Sequence, residues 1–576
     1  MIIIALITTD RDNCRKCYAC VRACPVKTIS IKRGLPEIIE EGCLCCGQCV
    51  LACSIGAKLV QDEKPIIQQW LAEGKKVAAI VAPSYSASFA LSAGKMVSSL
   101  KKLGFSSVQE VAYGAGICAR EYKKYFYQVS RKQPIISTAC PAVVQLVEKY
   151  FPQLLDCLAP IDSPMLIQAK IIKRVYPDYK IVFIGPCLSK KNESIDPNTS
   201  GYVDAVITFK QLEQWYNQEE MEWQQLSEEP WENPQPDIAR TFPISGGLLK
   251  TSGINEDIAS MEIVVVEGAR HCIEVLRAID SGEFTPRFVD MLVCEGCVMG
   301  PGMVSEKPSV VRSQLVFNTV KNNNNLPPNE EFLQKIKELT FQRTFKAKPI
   351  VKKEFTDEQV WQTLRETGKL SARDLVNCSA CGYDTCWEKA VACLQGMAEK
   401  EMCLPFLLSQ VPALTNSLMD MSNKLMLSME SINFSTLTLK GSTSKMNVRN
   451  QHLEGLIKET NTIAKDTLEL ANKVLDMVSQ YQCPTNQDTG ETTTLSPDLE
   501  EIKKIAAETK LQSEQATNAF ADIASVLNSL REDSVMILEQ EKAIKVVTNS
   551  LEQIVATYDQ LLNIGSAMAN IGRNYV

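Results

Sequence analysis

The sequence predicts a multidomain chain in four parts: a small α+β cysteine-rich domain, an α/β domain, a second small cysteine-rich domain and an all-α coiled-coil tail. Three observations predict it. Most cysteines gather in runs at 14–24, 43–53 and 378–403. Between those runs, short apolar stretches alternate with helical ones, the pattern of buried parallel strands with crossover helices. Beyond Pro412, proline and glycine become scarce and apolar residues recur at every seventh position. The chain has 576 residues, too many for one hydrophobic core, and domains are expected at 1–62, 75–345, 355–411 and 412–576.

Composition narrows the class. The chain is 45% hydrophobic and 22% charged, with 61 basic against 68 acidic residues and a net charge of −7. That balance describes a soluble acidic protein and carries no nucleic-acid footprint. Ile2–Ile7 is too short to span a bilayer and reads as a first strand. The 22 cysteines are too clustered, and the chain too large, for a secreted disulfide framework, so metal ligation in a reducing cytoplasm is expected. His271 and His452 are the sole histidines. They leave almost no scope for imidazole-ligated metal sites and are expected as one core and one surface residue.

In the first domain Cys14, Cys17, Cys20 and Cys24 form a Cys-x-x-Cys-x-x-Cys-x-x-x-Cys-Pro run. Cys43, Cys46, Cys49 and Cys53 repeat it, with Ser54 in the proline position. The pattern resembles the bacterial two-cluster ferredoxins, in which the fourth cysteine of each run ligates the other cluster. That resemblance implies one 4Fe4S cluster on Cys14, Cys17, Cys20 and Cys53 and a second on Cys43, Cys46, Cys49 and Cys24, forming a wire for single electrons. Four-cysteine zinc sites are the alternative. Cys45 is extra and stays unassigned.

In the second domain Val77–Val81, Lys180–Ile184, Ala205–Ile207 and Ile263–Val266 read as buried parallel strands. Such an α/β domain builds its site from loops at strand ends. Three loops carry candidate chemistry: Ser137-Thr138-Ala139-Cys140-Pro141, Gly185-Pro186-Cys187-Leu188-Ser189-Lys190-Lys191-Asn192-Glu193, and Cys294-Glu295-Gly296-Cys297-Val298-Met299-Gly300-Pro301-Gly302. With Ala82-Pro83-Ser84 and Phe242-Pro243-Ile244-Ser245-Gly246-Gly247 in matching order, they resemble the cofactor loops of the [FeFe]-hydrogenase family from about Lys75 to Phe345. The resemblance implies an H-cluster, a 4Fe4S cubane on Cys140, Cys187, Cys294 and Cys297 in which Cys297 bridges to a two-iron subsite carrying CO and cyanide. Lys190 then matches the lysine that hydrogen-bonds a cyanide, Glu193 the acid that steadies it, and Ser84 belongs to the first cyanide-binding turn. A set of unrelated buried thiols is the alternative, and it is the reading given to Cys118, Cys157 and Cys272.

The same loops depart from the catalysts of that family. Ala139 replaces the cysteine that hands protons to the two-iron subsite, and a methyl group relays no proton. Ala159 falls at the relay's serine and Tyr122 and Tyr125 near its two glutamates, while Gly185 and Leu292 replace methionines that line the subsite. The third loop has one residue fewer between its cysteines. These changes resemble the sensory branches of the family. Elsewhere in the domain, Tyr216–Pro236 reads as a surface insertion and Asn322–Asn325 as an exposed loop.

The third domain carries Cys378, Cys381 and Cys386 with Cys403 further on. It resembles a small 4Fe4S domain with a Cys-x-x-Cys-Gly-Tyr-x-x-Cys signature, with zinc as the alternative and Cys393 read as packing. In the tail, Leu456, Ile463, Leu470 and Met477 recur every seventh residue, offset from Leu453, Thr460, Thr467 and Val474. Ile502, Thr509, Ala516, Ile523, Leu530, Ile537, Ile544, Leu551 and Tyr558 repeat the device. Two helices folded back as a hairpin are expected. Ile505–Thr509 faintly resembles methyl-accepting chemotaxis signalling helices, with a plain dimerisation stalk as the alternative.

Together these readings predict a hydrogen-binding iron–sulfur protein that senses hydrogen or redox state and turns over slowly, with three 4Fe4S clusters plus the H-cluster. Expected partners are molecular hydrogen and protons, a redox partner such as ferredoxin, hydrogenase maturation proteins, a signalling partner on the tail and a second copy of the chain. Neither nucleic acid nor a membrane span is expected. One rival is a genuine hydrogenase with another proton route. The other is an iron–sulfur redox or assembly protein that never receives the two-iron subsite.

Overall fold

The computed structural model describes residues 5–129, 133–254, 261–321, 325–327, 330–351, 353–438, 446–480, 497–532 and scattered positions between 546 and 560. By compactness the chain falls into two units. One comprises Met1–Asp10, Ala23–Ile29 and Glu37–Lys353, and the other Arg11–Arg22, Ser30–Pro36 and Glu354–Val576. Along the chain the last division between the units falls at Lys353/Glu354. The expected domain 1–62 is instead shared between the units.

In chain order the strands are β1 (Ile7–Thr9), β2 (Ile29–Lys32), β3 (Leu35–Ile38), β4 (Lys58–Val60), β5 (Val77–Val81), β6 (Ser107–Glu110), β7 (Ile135–Ile136), β8 (Lys180–Gly185), β9 (Ala205–Thr208), β10 (Ile263–Glu267) and β11 (Phe288–Leu292). β1 and β4 pair antiparallel, Ile7 opposite Val60. The first described strand therefore starts where the expected one, Ile2–Ile7, was to end. Ala5 and Leu6 lie outside any strand, and residues 1–4 lie outside the described ones.

The first unit carries two parallel sheets, ordered β6-β5-β8-β9 and β10-β11-β7. In the first, Ala79 pairs with Val108 and Val182, and Phe183 with Val206. All five residues of β5 are buried, packed with the apolar sides of helices Ala93–Lys102, Pro164–Val175 and Phe209–Gln218. In the second, Ile136, Val289 and Met291 pack with Val143 and Leu146 of helix Pro141–Tyr150 and with Cys272 and Leu276 of helix Ala269–Asp280.

Several expectations are corrected. Within Tyr216–Pro236, Tyr216, Trp231 and Asn233 are buried. Trp231 stands 5.5 Å from the Tyr85 ring, and Asn233 Oδ1 accepts from the Glu110 amide at 2.5 Å. A Glu- and Gln-rich segment thus hides an aromatic anchor. Asn325 is half-buried because its Oδ1 accepts from Arg240 at 2.7 Å; Asn322–Asn324 lie outside the described residues. Both His271 and His452 are exposed, since helix Ala269–Asp280 buries Cys272, Leu276 and Ile279 instead. Cys118 and Cys272 are buried as expected, while Cys157 is half-buried.

In the second unit, helix Asp357–Arg365 starts at a capping box of Thr356 and Gln359, and helix Cys386–Leu394 at one of Thr385 and Glu388. The two pack through Val360, Leu364 and Ala390, with Trp361 edge-on to Trp387 at 5.9 Å. A long helix, Leu404–Thr438, begins directly after Cys403 and runs through Pro412. The boundary expected at 411/412 therefore lies inside a helix.

Helices Met446–Gln480 and Pro497–Glu532 pack together, and Ser513 Oγ donates to the Ala464 carbonyl. Their buried rows correct the expected register. Leu453, Leu456, Thr460, Thr467 and Val474 are buried as expected. Beside them lie Ile457, Ala464 and Ala471, whereas Ile463, Leu470 and Met477 are half-buried. Small alanines let two backbones approach, so the closest row is not the one with the largest side chains. On the partner helix Ile502, Ala516 and Ile523 are buried, joined by Ala506, Ser513 and Phe520. The Leu530 side chain and residues Ile537, Ile544, Leu551 and Tyr558 lie outside what is described. Among the described residues no helix is long and apolar enough to cross a membrane.

Candidate metal centre

Each of the three cysteine loops leaves the end of a parallel strand, where α/β folds place ligands. Cys140 follows β7 and caps helix Pro141–Tyr150. Cys187 follows β8 and precedes helix Ser189–Ile195. Cys294 follows β11, and Cys297 opens a 3-10 turn, Cys297–Met299, after Gly296 at φ 71°. The four thiols meet: the charges of Cys187 and Cys140 act on Cys297, and those of all three act on Cys294. Burial pushes Cys187 up to about 11, with Cys140 adding to the rise, and pushes Cys294 and Cys297 well up in the same way.

The second set of the first domain joins them. Burial drives the Cys46 thiol well up, offset by the Gln48 amide, and Cys24, Cys43 and Cys49 act on it next. Cys46 in turn acts on Cys294, so the loop Cys43–Cys49 adjoins the central four. Its backbone is clamped from the α/β domain. Lys149 Nζ donates to the Cys43 carbonyl at 2.7 Å, Tyr150 Oη to Gly42 at 2.8 Å, and Ser189 Oγ to the carbonyls of Leu44 and Cys45 at 3.1 and 3.0 Å. Gly47, at φ 75°, is pressed so close that a Cβ there would stand 2.5 Å from Pro301 and 2.8 Å from Leu188. Cys45, unassigned from sequence, is buried; its amide donates to Cys43 Sγ at 3.3 Å, and its thiol hydrogen bond holds Cys43 down near 7. Cys53 lies in this unit, and Cys14, Cys17 and Cys20 in the other.

Lys190 and Glu193 form a buried ion pair at 2.6 Å. Glu193 also binds Arg343 at 2.6 Å and Ser163 Oγ at 2.9 Å. Burial raises the Glu193 carboxyl, but Lys190, Arg343 and Ser163 outweigh it and the net shift is downward. Nothing in the sequence marks Arg343. It donates a second bond, 2.6 Å long, to the Thr138 carbonyl and so ties Glu193 to the Cys140 loop. Lys190 Nζ itself reaches the Ala139 carbonyl at 3.5 Å.

The residues expected at the proton relay do gather. Tyr122 Oη accepts from the Thr138 amide at 2.6 Å and lies 2.8 Å from Thr138 Oγ1, which reaches the carbonyls of Ala159 and Ile161 at 2.9 and 3.0 Å. Tyr122, Thr138 and Ala159 are fully buried, and Tyr125 is half-buried. Burial pushes the Tyr122 hydroxyl far above its usual range. At Gly185 a Cβ would stand 2.6 Å from the Phe183 ring, so no methionine fits there without moving that ring. Asp290 on β11 is buried with Ser137 Oγ at 3.4 Å, and burial lifts its carboxyl to about 7.

These residues fit an iron–sulfur cofactor. Four half-buried thiols gather beside an apolar core, and such a set is tolerable as thiolates only beside positive charge such as metal cations. Ser84 Oγ is fully buried with no hydrogen-bond partner among the described residues, a donor available to a polar ligand. Among the described residues no three His, Cys, Asp or Glu side chains converge tightly enough to hold a single metal ion.

In the second unit, Cys378, Cys381, Cys386 and Cys403 line one cavity. Asn377 Oδ1 fixes the Cys386 amide at 2.8 Å. Burial raises Cys381 to about 11, with Cys403 and Cys378 adding to it. The segments Arg11–Arg22, which carries Cys14, Cys17 and Cys20, and Ser30–Pro36 belong to the same unit and pack on this module. Arg22 donates to the Ala380 carbonyl at 3.2 Å, the Ile31 amide to Met397 at 2.8 Å, and the amides of Arg33 and Gly34 to the Glu399 carboxylate.

A family model described as the iron-only hydrogenase large subunit, C-terminal domain, matches residues 75–301, and a 4Fe-4S binding domain model matches residues 7–30. Among characterised proteins, the NADP-reducing hydrogenase subunit HndD of Solidesulfovibrio fructosivorans is 25% identical over 378 residues, covering 52% of this chain and 64% of that one. The cytosolic Fe-S cluster assembly factor NAR1 of Vanderwaltozyma polyspora is 30% identical over 186 residues, covering 31% of this chain and 36% of that one. This chain therefore spans less than two thirds of the length of either relative. A solved [FeFe]-hydrogenase from Chlamydomonas reinhardtii aligns over 49% of this chain and 99% of that one, with 17% identity and a TM-score of 0.40.

Proposed function

Because the chain is [FeFe]-hydrogenase-like over residues 75–301, we propose that it is a cytoplasmic hydrogen-binding iron–sulfur protein that reports hydrogen or redox state and turns over slowly. Cys140, Cys187, Cys294 and Cys297 would hold the cubane of the H-cluster. Cys24, Cys43, Cys46 and Cys49 would hold a neighbouring cluster, Cys14, Cys17, Cys20 and Cys53 another, and Cys378, Cys381, Cys386 and Cys403 the last. The two-iron subsite, when bound, supplies the heterolytic hydrogen chemistry. Lys190 would donate toward it, held by Glu193, which Arg343 anchors in turn, and Ser84 would offer a buried hydroxyl.

The observation that carries the slow, sensory reading is the closed hydrogen-bond group around Ala139. The Tyr122 hydroxyl is committed to Thr138, Thr138 to two carbonyls, and Ala139 and Ala159 carry no proton. Proton transfer needs each donor within hydrogen-bond reach of the next, and a methyl group at Ala139 would leave the bound subsite without a side-chain proton carrier at that position. The test is infrared spectroscopy of maturase-treated protein for metal-bound CO and cyanide bands, followed by dye-linked hydrogen uptake. Bands with slow uptake support the reading; bands with sustained fast uptake make the protein a working hydrogenase.

The second reading is an iron–sulfur assembly or redox protein without the subsite. It is favoured by the likeness to the assembly factor NAR1. Absence of CO and cyanide bands in protein carrying all its cubanes selects it.

A further inference from the structure

The cavity lined by Cys378, Cys381, Cys386 and Cys403 contains two buried lysines, Lys369 and Lys389, each only 5% exposed. Lys369 Nζ donates to Cys403 Sγ at 3.2 Å and to the carbonyl and hydroxyl of Thr367 at 3.3 Å each. Lys389 Nζ reaches the Lys400 carbonyl at 3.5 Å, and its charge acts on Cys381. Among the described residues, neither ammonium has a carboxylate within ion-pair distance. A buried ammonium without a countercharge is strongly unfavourable. Two in one small module require an anion of matching burial, and the cavity between them is walled by thiols.

A cubane held by four thiolates is such an anion, and its negative charge grows on reduction. Positive charge hydrogen-bonded to a ligand sulfur therefore stabilises the reduced form more than the oxidised one. This is the lever by which hydrogen bonds to cluster sulfurs set reduction potentials. We propose that Lys369 sets the potential of a cluster on Cys378, Cys381, Cys386 and Cys403, raising it so that this module holds an electron received from a low-potential iron–sulfur donor. The inference rests on reading these four cysteines as a 4Fe4S site. The step is a single-electron reduction of the cluster by a low-potential donor, with no bond made or broken, and Lys389 contributes from the Cys381 side.

The experiment is an anaerobic redox titration of the full, iron-reconstituted chain, followed by electron paramagnetic resonance. Cys378→Ala identifies the signal and iron that belong to this module. Lys369→Met should cut the ratio of reduced to oxidised cluster about tenfold at fixed ambient potential, a shift of about 59 mV downward for a one-electron couple. Lys369→Arg should restore most of it, and the remaining clusters should not move. Lys369→Gln serves if the methionine variant does not fold. If Cys378→Ala loses about four irons but neither Lys369→Met nor Lys369→Gln shifts a potential, the role of Lys369 is wrong while the cluster stands. If Cys378→Ala loses no iron, or the module carries zinc, the cluster reading fails and this inference with it.

Discussion

Glu193 and Asp290 are both buried carboxyls near the central cysteines, and their neighbours push them in opposite directions. Glu193 has Lys190, Arg343 and Ser163, so Glu193→Gln leaves two buried cations short of a partner. It should cost about 3–5 kcal/mol, read as easier cleavage of the region 75–345 by pulse proteolysis in urea. Among the described residues Asp290 has Ser137 as its one side-chain hydrogen-bond partner, and burial holds its carboxyl near 7 against an unfolded value of 3.8. Between those values the folded chain binds the proton and the unfolded chain does not, so stability falls as pH rises from about 4 to about 7 and then levels off. Asp290→Asn should remove that slope, a gain of about 4 kcal/mol at pH 8. Proteolysis across the pH range checks it; an unchanged slope would place the titration elsewhere. Ala139→Cys should raise hydrogen uptake less than tenfold in matured protein, because Tyr122 and Ala159 still interrupt the path. The clustering of the cysteines was legible because it is written in short local spacings. Arg343 and Asp290 were not, because their meaning comes from partners far away in the chain.

At the scale of elements, legibility depended on where polarity is satisfied. β5, β8, β9 and β10 read as apolar runs, but β6 reads Ser-Val-Gln-Glu and gave no signal. Its Gln109 is paired with Gln168 at 2.7 Å and its Glu110 with Arg240 at 2.8 and 2.9 Å. Such partners are invisible in a local window. The Glu- and Gln-rich segment ending at Pro236 misled in the same way, since its composition is polar while Trp231 is buried. Trp231→Ala should therefore cost about 3–5 kcal/mol, far more than a surface loop would. In the tail, heptad spacing was legible but the row of closest approach was not, because alanine carries little hydrophobic signal. Ala464→Leu should destabilise the helix pair by about 1–3 kcal/mol through overpacking. Hydrogen exchange of 446–480 and 497–532 in the full chain should accelerate accordingly, and Leu470→Ala, at a half-buried position, should matter less.

For the whole molecule, the proposed cofactors amount to about 18 irons per chain after maturation and about two fewer without it. Iron analysis beside sulfide analysis checks that count, and stoichiometric zinc would remove the last cluster. The sensory reading also requires that the tail respond. A ligand shifts a conformational equilibrium only through different affinities for its two states. Thr460 and Thr467 are buried in the tail's packed row, with their hydroxyls bonded back to Leu456 and Ile463. Such a seam is less tightly specified than an aliphatic one. Hydrogen exchange over residues 410–576 should differ between hydrogen-treated and oxidised matured protein. Identical protection would leave the tail a passive stalk for dimerisation.

Gly47 gives the proposed electron route a physical limit. Its missing side chain lets the Cys43–Cys49 loop rest on Pro301 and Leu188, where a single methyl would already collide. Electrons cross between metal clusters by tunnelling, and the rate decays steeply with the width of the insulating gap. The closeness of these two loops is thus a matter of conductance more than of stability. Gly47→Ala, which also strains a backbone at φ 75°, would wedge the loops apart and slow transfer while leaving the driving force between the two clusters nearly as it was.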